Sequence, residues 1–248
     1  MDIVLIPLNH DVMKIEAILV PRGAEYQSVL RGIKQGSRRC GRKVDIPVIP
    51  VPMGQEAIGC FLVNAKKHQA SWTQTDGSVI MMGLCGALSP TLTIGDTVIY
   101  QSCWDGGNHP RSCDPSLTHY LHHHLDHQTQ FVIGWTSDRL IHDVGSKQSL
   151  HLATGASVVD MEGWTSLEVL QSWGKAVAMV RVVSDDAHHP LPDLKDAIGT
   201  NGRLLPLPLA IGLLRQPIPG LRLIRGSWIG LTQLTAIAHQ LALLQQVA

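Results

Sequence analysis

The sequence predicts an α/β protein, a three-layer α/β/α sandwich built on a twisted, mixed and largely parallel central sheet. Two observations lead to this fold class. Short apolar runs rich in β-branched residues alternate along the chain with segments whose apolar positions repeat at helical spacing. The chain has 248 residues, of which 44% are hydrophobic, and contains no evident linker or repeat that would divide it. We therefore expect residues 1–248 to form a single domain with one core.

Each predicted element rests on its own apolar pattern. The predicted strands are IEAILVP (15–21), SVIMMGLCGAL (78–88), IGDTVIY (94–100), FVIGW (131–135), ASVVD (156–160) and AVAMVRVVSDD (176–186), and VDIPVIPVPMG (44–54) is predicted to be extended. The predicted helices are AEYQSVLRGIKQG (24–36), QEAIGCFLVNAKKH (55–68), EGWTSLEVLQSWG (162–174) and SWIGLTQLTAIAHQLALLQQV (227–247). We expect Gly36 to end the first of these helices, because glycine commonly terminates a helix.

The two ends of the chain carry signals of their own. Residues 1–12 form a possible extension ahead of the first strand, and the sequence leaves open whether Met1 or Met13 is the true start. An acidic residue near the N-terminus and a short apolar run do not fit a signal peptide, so we expect a cytoplasmic protein. Residues 201–248 are predicted to form a helical region that packs on the sheet. Prolines and an arginine interrupt its apolar tract at 204–221, which excludes an integral membrane helix and leaves peripheral contact with lipid open.

Charge and cysteine content argue against several classes of function. The formal net charge is zero, so we do not expect a nucleic-acid partner. The five cysteines include no CxxC pair and fit a reducing compartment, and we expect all five to be small buried apolar residues. His119, His123 and His127 follow one another at a spacing that can chelate a metal. We favour a solvated helix face instead, and we predict neither a metal nor another cofactor.

Acidic residues follow three of the predicted strands. Glu25 comes shortly after the first strand, Glu162 follows ASVVD, and Asp185 ends the strand that begins at residue 176. Ligands of open α/β sheets gather outside the carboxyl ends of the strands, so this is where a site is expected. Burying these carboxylates would be costly without partners, which favours a functional role. For Glu25, a helix cap or a partner of the helix dipole is an equally good interpretation.

Three segments resemble one known family. VVDMEG (158–163) is similar to a ribose-binding Met-Glu segment, and VRVVSDDA (180–187) is similar to an Arg-x-x-Ser-Asp strand end. GLCGALSPTLTIGD (83–96) adds a glycine-rich loop followed by Leu-x-x-Gly-Asp. Together these segments resemble the nucleoside phosphorylase and nucleosidase superfamily, which contains purine nucleoside phosphorylases and methylthioadenosine/S-adenosylhomocysteine nucleosidases. Their order and spacing agree over roughly residues 13–190.

The resemblance implies a phosphorylase-like fold and an enzyme that cleaves the N-glycosidic bond of a purine nucleoside or a 5′-modified adenosine. The free base is released either by hydrolysis or, with phosphate as co-substrate, by glycosyl transfer. Family members assemble as homo-oligomers, and a small-molecule nucleoside is the expected partner.

The resemblance also implies a role for each matching residue. Met161 would pack on the ribose, and Glu162 would accept hydrogen bonds from its 2′ and 3′ hydroxyls. Asp185 would protonate the leaving base, and Ser184 would orient Asp185. Glu25 would activate the attacking water. Since a general acid must hold a proton near neutral pH, we expect burial to raise the pKa of Asp185.

The chain departs from the family at several positions of the expected site. In the glycine-rich turn at Gly83, Leu84 and Cys85, Leu84 occupies the place where many relatives carry a serine, and leucine cannot supply that hydrogen bond. Leu140 occupies the place of a stacking phenylalanine, so the base pocket would be apolar but without that ring. Arg22 is a candidate for binding an anion such as phosphate, or else a surface arginine. A non-catalytic nucleoside-binding protein therefore remains an alternative.

The C-terminal third carries a second resemblance. The segment from residue 201 to 228 is similar to the tail of phosphorylase-like proteins associated with hopanoid synthesis, which act on an adenosine joined through its 5′ carbon to a triterpenoid. A lipid-linked adenosine is therefore an alternative substrate. Plain packing of an apolar tail against the sheet explains the same composition.

Overall fold

The computed structural model describes residues 13–39, 46–75, 77–107, 109–125, 129–194 and 205–245. Its strands are β1 (Ile15–Pro21), β2 (Val48–Val51), β3 (Ser78–Ala87), β4 (Thr97–Trp104), β5 (Arg111–Ser112), β6 (Gln130–Thr136), β7 (Val158–Asp160) and β8 (Ala176–Asp185). Its helices are α1 (Ala24–Arg39), α2 (Gln55–Lys67), α3 (Pro115–His124), α4 (Val144–Thr154), α5 (Gly163–Ser172), α6 (Pro206–Arg215) and α7 (Pro217–Leu244). All the predicted strands and helices are present, and α3 and α6 lie in the two further stretches predicted to be helical, at the histidine cluster and within residues 201–248. Only β5 and α4 were not predicted.

The strands form one mixed sheet, as predicted. Parallel pairs join β1 to β2 and β3, β3 to β8, β4 to β6, and β6 to β7. Antiparallel pairs join β3 to β7, β4 to β5 and β4 to β8. Because β8 pairs with both β3 and β4, the pairings close a ring through β3, β7, β6, β4 and β8. The mixed and largely parallel sheet is confirmed, and the ring closure is a feature that the sequence did not reveal.

The prediction that Gly36 ends α1 is wrong. The helix continues through this glycine to Arg39 and packs along α7. A Cβ at position 36 would lie 2.5 Å from Cβ of Ala242 and 2.9 Å from the carbonyl oxygen of His239. Gly36 is therefore a point of close helix contact rather than a helix terminator, since only glycine allows the two backbones to approach this closely.

Replacing Gly36 by alanine is expected to lower the free energy of unfolding by about 1–3 kcal/mol, because the added methyl group has no space against α7. Gly59 in α2 is a matched control, because its Cβ would lie 3.4 Å from the nearest side-chain atom, Cγ2 of Thr165. Gly59→Ala is expected to be neutral or to stabilise by up to about 1 kcal/mol through helix propensity. Urea denaturation of both variants tests this, and equal effects would contradict the assigned role of Gly36.

Helix α7 joins the C-terminal region to the rest of the fold. Its second half buries Leu234, Ile237 and Leu241 in the same core cluster as residues of α1 and the sheet. The helix also contacts β8 and β3. In the described part of the chain, no helix combines the length and apolarity that crossing a membrane requires.

The structure bears on two expectations from composition. The expectation that all cysteines are buried is wrong for Cys60, which is exposed because it lies on the outward face of α2, whereas Cys85, Cys103 and Cys113 are buried. In the histidine cluster, His119 and His123 are exposed on α3, as expected of a solvated helix face, and the rings of His119 and His122 pack against Phe131. The predictions for residues 1–12, Cys40 and His127 lie outside the described residues.

Candidate active site

The end of β8 is shaped by an irregularity in its pairing with β3. Cys85 pairs with Val183 and Gly86 with Asp185, so that Ser184 is an extra residue in the ladder. Such a bulge re-aims the side chains beside it. A Cβ at Gly86 would lie 2.9 Å from Oδ2 of Asp185, so glycine is needed for this carboxylate to lie against the strand. The two sequence-predicted residues Ser184 and Asp185 are both buried here.

A buried guanidinium, that of Arg181 on β8, is the centre of a first group of charges. Its Nη2 donates to Oδ2 of Asp160 at 2.9 Å. The same carboxylate accepts from the hydroxyls of Tyr100 and Thr136 and from the backbone N–H of Gly163. Asp160 is thus fully engaged by the protein, and its geometry is that of a group that holds Arg181 in place.

Glu162 belongs to the same group but has fewer protein partners. Its Oε1 accepts from the N–H of Gly54 at 2.9 Å, and its Oε2 lies 4.0 Å from Nη2 of Arg181. Burial raises the pKa of the Glu162 carboxyl, although Arg181 opposes this effect. The carboxylate therefore keeps capacity to accept hydrogen bonds from a ligand. The preceding Met161 is half-buried.

The first turn of α1 brings Glu25 to this group. Its Oε2 accepts from the N–H of Leu84 at 2.7 Å, and burial raises the pKa of its carboxyl to about 7. At Gly83, a Cβ would overlap Nη1 of Arg181 and lie 2.7 Å from Oε2 of Glu25, so glycine is needed for both groups to lie against this strand. Among the described residues, Nη1 and Nε of Arg181 are buried without a hydrogen-bond partner. A buried donor without a partner calls for a water or a ligand at this position.

The second group of charges is an ion pair between Asp185 and Lys147. Nζ of Lys147 lies 2.5 Å from Oδ2 of Asp185 and 2.6 Å from the carbonyl oxygen of Asp186. The hydroxyl of Ser184 donates to Oδ1 of Asp185 at 3.2 Å and also contacts the carbonyl oxygen of Cys85. Burial raises the pKa of Asp185, as expected from the sequence, although the Lys147 ammonium opposes the shift.

Lys147 is a residue that sequence reasoning missed, because α4 was not predicted. The helix has two readable signals: Asp143 caps its start by accepting from the N–H of Ser146 at 2.7 Å, and Gly155 ends it with a φ of 71°. These signals could have revealed the helix. They could not have revealed that Lys147 is fully buried, since lysine is almost always exposed unless it is paired. Arg181 was likewise visible in the strand-end motif but was assigned no role.

The two groups lie beside the same stretch of β3. Gly83 adjoins Arg181 and Glu25, whereas Gly86 adjoins Asp185, and three residues of a strand span about 10 Å. The Cys85 thiol lies between the two groups. Burial raises the pKa of this thiol, the Arg181 charge opposes the shift, and the Asp185 charge adds to it. The structure thus brings the predicted carboxylates to one region.

The other predicted residues lie around these groups. The side chain of Leu84 points towards Gly230 of α7, so that the residue meets Glu25 through its backbone alone. Leu140 is half-buried in the loop before α4, near His142, whose carbonyl accepts from the N–H of Leu191. Arg22 is exposed, and its guanidinium lies over the ring of Phe61, 5.8 Å from the centroid.

A mixed α/β sheet with buried ionisable groups near its strand ends defines the class: an α/β protein with a candidate site at the ends of its strands. The family model described as the phosphorylase superfamily matches residues 75–203, just over half of the chain. The chain therefore belongs to the phosphorylase superfamily. A comparison with curated proteins finds no match.

Solved structures with the same fold include futalosine hydrolase of Helicobacter pylori, at 15% identity and a TM-score of 0.64, covering 97% of this chain and 100% of that chain. The 5′-methylthioadenosine/S-adenosylhomocysteine nucleosidase of Helicobacter pylori has 16% identity and a TM-score of 0.64, covering 96% and 99%. The corresponding nucleosidase of Campylobacter jejuni has 16% identity and a TM-score of 0.60, covering 92% and 99%. At these identities the likeness establishes the fold.

Proposed function

We propose that this chain is an enzyme that cleaves the N-glycosidic bond of a purine nucleoside or 5′-modified adenosine and releases the free base, with water as the nucleophile. The observation that carries the proposal is the presence of two separate charge groups beside one stretch of β3. The first group has carboxyls of raised pKa beside Arg181, whose Nη1 and Nε have no hydrogen-bond partner among the described residues. The second group is a buried acid, Asp185, paired with Lys147. Membership of the phosphorylase superfamily supports it.

The Lys147–Asp185 pair acts on the leaving base. As the bond between the sugar and the base breaks, its electron pair goes to the base, and a proton delivered to the purine N7 neutralises the developing charge. Asp185 is placed to deliver it, with Ser184 holding Oδ1. Nζ of Lys147 contacts the other oxygen of the same carboxyl and so fixes its position beside the base.

The first group of charges, Arg181 with Asp160, Glu162 and Glu25, binds the sugar and positions the nucleophile; we call it the Arg181 group. Glu162 accepts hydrogen bonds from the ribose hydroxyls, and the half-buried Met161 packs against the ring. The attacking water accepts a hydrogen bond from Nη1 of Arg181 and gives a proton to Oε2 of Glu25 as it attacks the sugar carbon. Since a positioned acid or base typically contributes about 10²–10⁴ in rate, the site has enough groups for hydrolysis.

One observation favours phosphate as an alternative nucleophile. The buried Nη1 of Arg181 is a suitable donor to an anion as well as to water. Against it, Leu84 lies within β3 and brings no hydroxyl to the site, and its N–H already donates to Glu25.

Base release from a panel of nucleosides tests the proposal. The purified protein is incubated with adenosine, inosine, methylthioadenosine, S-adenosylhomocysteine and futalosine, each with and without phosphate, and free base is followed by chromatography. Equal release without phosphate supports hydrolysis, and release that requires phosphate would replace water by phosphate as the nucleophile. Ligand-induced thermal stabilisation without release from any of them would favour the non-catalytic binder.

The rate of hydrolysis is expected to rise about tenfold per pH unit below pH 7, because Glu25 must lose its proton to act as a base and burial raises its pKa to about 7. At higher pH the rate is expected to fall, because Asp185, whose pKa burial also raises, must keep the proton that it gives to the base. Glu25→Gln should remove this rise, whereas Glu56→Gln, an exposed acid in α2, should keep it. The measurement is the pH profile of kcat/KM for the three proteins. A rise that persists in Glu25→Gln would assign the titration to another carboxyl, with Glu162 as the first candidate.

A further inference from the structure

The surface carries one concentrated apolar region. Eight of the eleven exposed large hydrophobic side chains in the described part of the chain belong to α6, the residue before it and the first half of α7. We call them the apolar tail face: Leu205, Leu207, Ile211, Leu214, Ile218, Leu221, Ile224 and Trp228. Single exposed apolar residues are ordinary, whereas a contiguous set marks a binding surface.

Helical geometry explains why these side chains share one face of α7. Ile218, Leu221 and Trp228 recur at intervals that bring them to one side of the helix. Gly226 and Gly230 are buried on the opposite side. At Gly226 a Cβ would overlap the carbonyl oxygen of Ser184, so this side of the helix is pressed against the end of β8. The apolar tail face therefore points away from the protein body, and internal packing does not account for it.

The charges on this face all have one sign. Residues 205–245 contain no aspartate or glutamate, and the three arginines of this segment, Arg215, Arg222 and Arg225, are all exposed. In the described ranges no ion pair engages any of these arginines. Exposed leucine, isoleucine and tryptophan interleaved with arginine are typical of helices that lie in the interface of an anionic membrane.

We propose that α6 and the first half of α7 dock this protein onto an anionic lipid bilayer. The apolar tail face enters the interface, where leucine and isoleucine leave water and Trp228 takes the position that aromatic residues prefer at lipid headgroups. The three arginines pair with anionic headgroups. The helices lie on the surface rather than cross it, since neither is a spanning segment.

Docking places the candidate active site at the lipid surface. The same helix that carries the apolar tail face contacts Ser184, the neighbour of Asp185, through Gly226 and approaches Leu84 through Gly230. A nucleoside with a long apolar 5′ substituent could enter from the bilayer. Docking itself does not depend on the proposed function, because it rests on the surface alone.

Sedimentation with vesicles tests the docking. The full chain is mixed with phosphatidylcholine vesicles with and without phosphatidylglycerol, and binding is expected only with the anionic lipid and less at high salt. The triple variant Arg215→Gln, Arg222→Gln, Arg225→Gln should lower the affinity by about 100-fold. Leu214→Gln, Leu221→Gln, Trp228→Gln should abolish binding, since these side chains are 80%, 71% and 70% exposed.

The control removes exposed apolar side chains elsewhere. Val63→Gln with Leu152→Gln, at 57% and 76% exposure, should bind like the unmodified chain. Thermal denaturation verifies that every variant is folded. The docking would be refuted if the folded protein did not bind anionic vesicles, or if either triple variant bound them as tightly as the unmodified chain. It would also be refuted if the Leu214→Gln, Leu221→Gln, Trp228→Gln variant changed only self-association, which would make this face a contact between copies of the chain. Base release from soluble nucleosides is assayed separately, so that failure of the docking and of the proposed function can be told apart.

Discussion

Asp185→Asn is expected to lower the rate of base release by about 10²–10⁴, because asparagine has nearly the same shape but cannot donate the proton that the leaving base needs. The nucleoside should still bind, since the Arg181 group remains intact. The measurement is single-turnover base release, with ligand-induced thermal stabilisation as the readout of binding. A variant that binds but does not turn over would distinguish an acid from a binding residue.

Asp186→Asn is the matched control for this experiment. Asp186 is the next residue, but its carboxylate accepts from the backbone N–H groups of His188 and His189, and only its carbonyl oxygen contacts Lys147. Its replacement should leave turnover within a few-fold of the unmodified enzyme. Comparable losses in both variants, or normal turnover in Asp185→Asn, would remove Asp185 from its proposed role.

Arg181→Met is expected to lower the free energy of unfolding by about 3–5 kcal/mol at neutral pH, the usual cost of leaving a buried charge without its partner. Arg181 and Asp160 are both buried, and Nη2 of Arg181 lies 2.9 Å from Oδ2 of Asp160. The substitution also removes the positive charge that lies 4.0 Å from Oε2 of Glu162. The loss should shrink as the pH falls and these carboxyls take up protons. Urea denaturation at several pH values measures the effect.

Arg111→Met provides the control for burial. Arg111 pairs with Glu168 at the same distance of 2.9 Å, but the two side chains are 35% and 44% exposed. Because water screens such pairs, its replacement should cost only about 0–1 kcal/mol. If the two variants lost similar stability, Arg181 would not be the buried electrostatic centre inferred from the structure.

Local patterns were sufficient to predict most of the fold. The strands β3 and β8 are long apolar runs, and α5 follows its strand with helical periodicity, so each could be identified without its neighbours. The weakly patterned α4 and the two-residue β5 could not. Gly36 was misread because a helix-ending glycine and a helix-packing glycine look identical until the partner helix is known.

The sequence by itself determined the fold class, the family resemblance and the positions of Glu25, Glu162 and Asp185 after their strands, because these follow from residue order and short-range periodicity. Only the tertiary structure decided which charges meet. Lys147 reaches Asp185 across 38 residues, and the N–H of Leu84 reaches Glu25 across 59. Such contacts depend on the closed ring of strands and the bulge at Ser184, and burial within them raises the pKa values of the carboxyls. No local pattern encodes that burial.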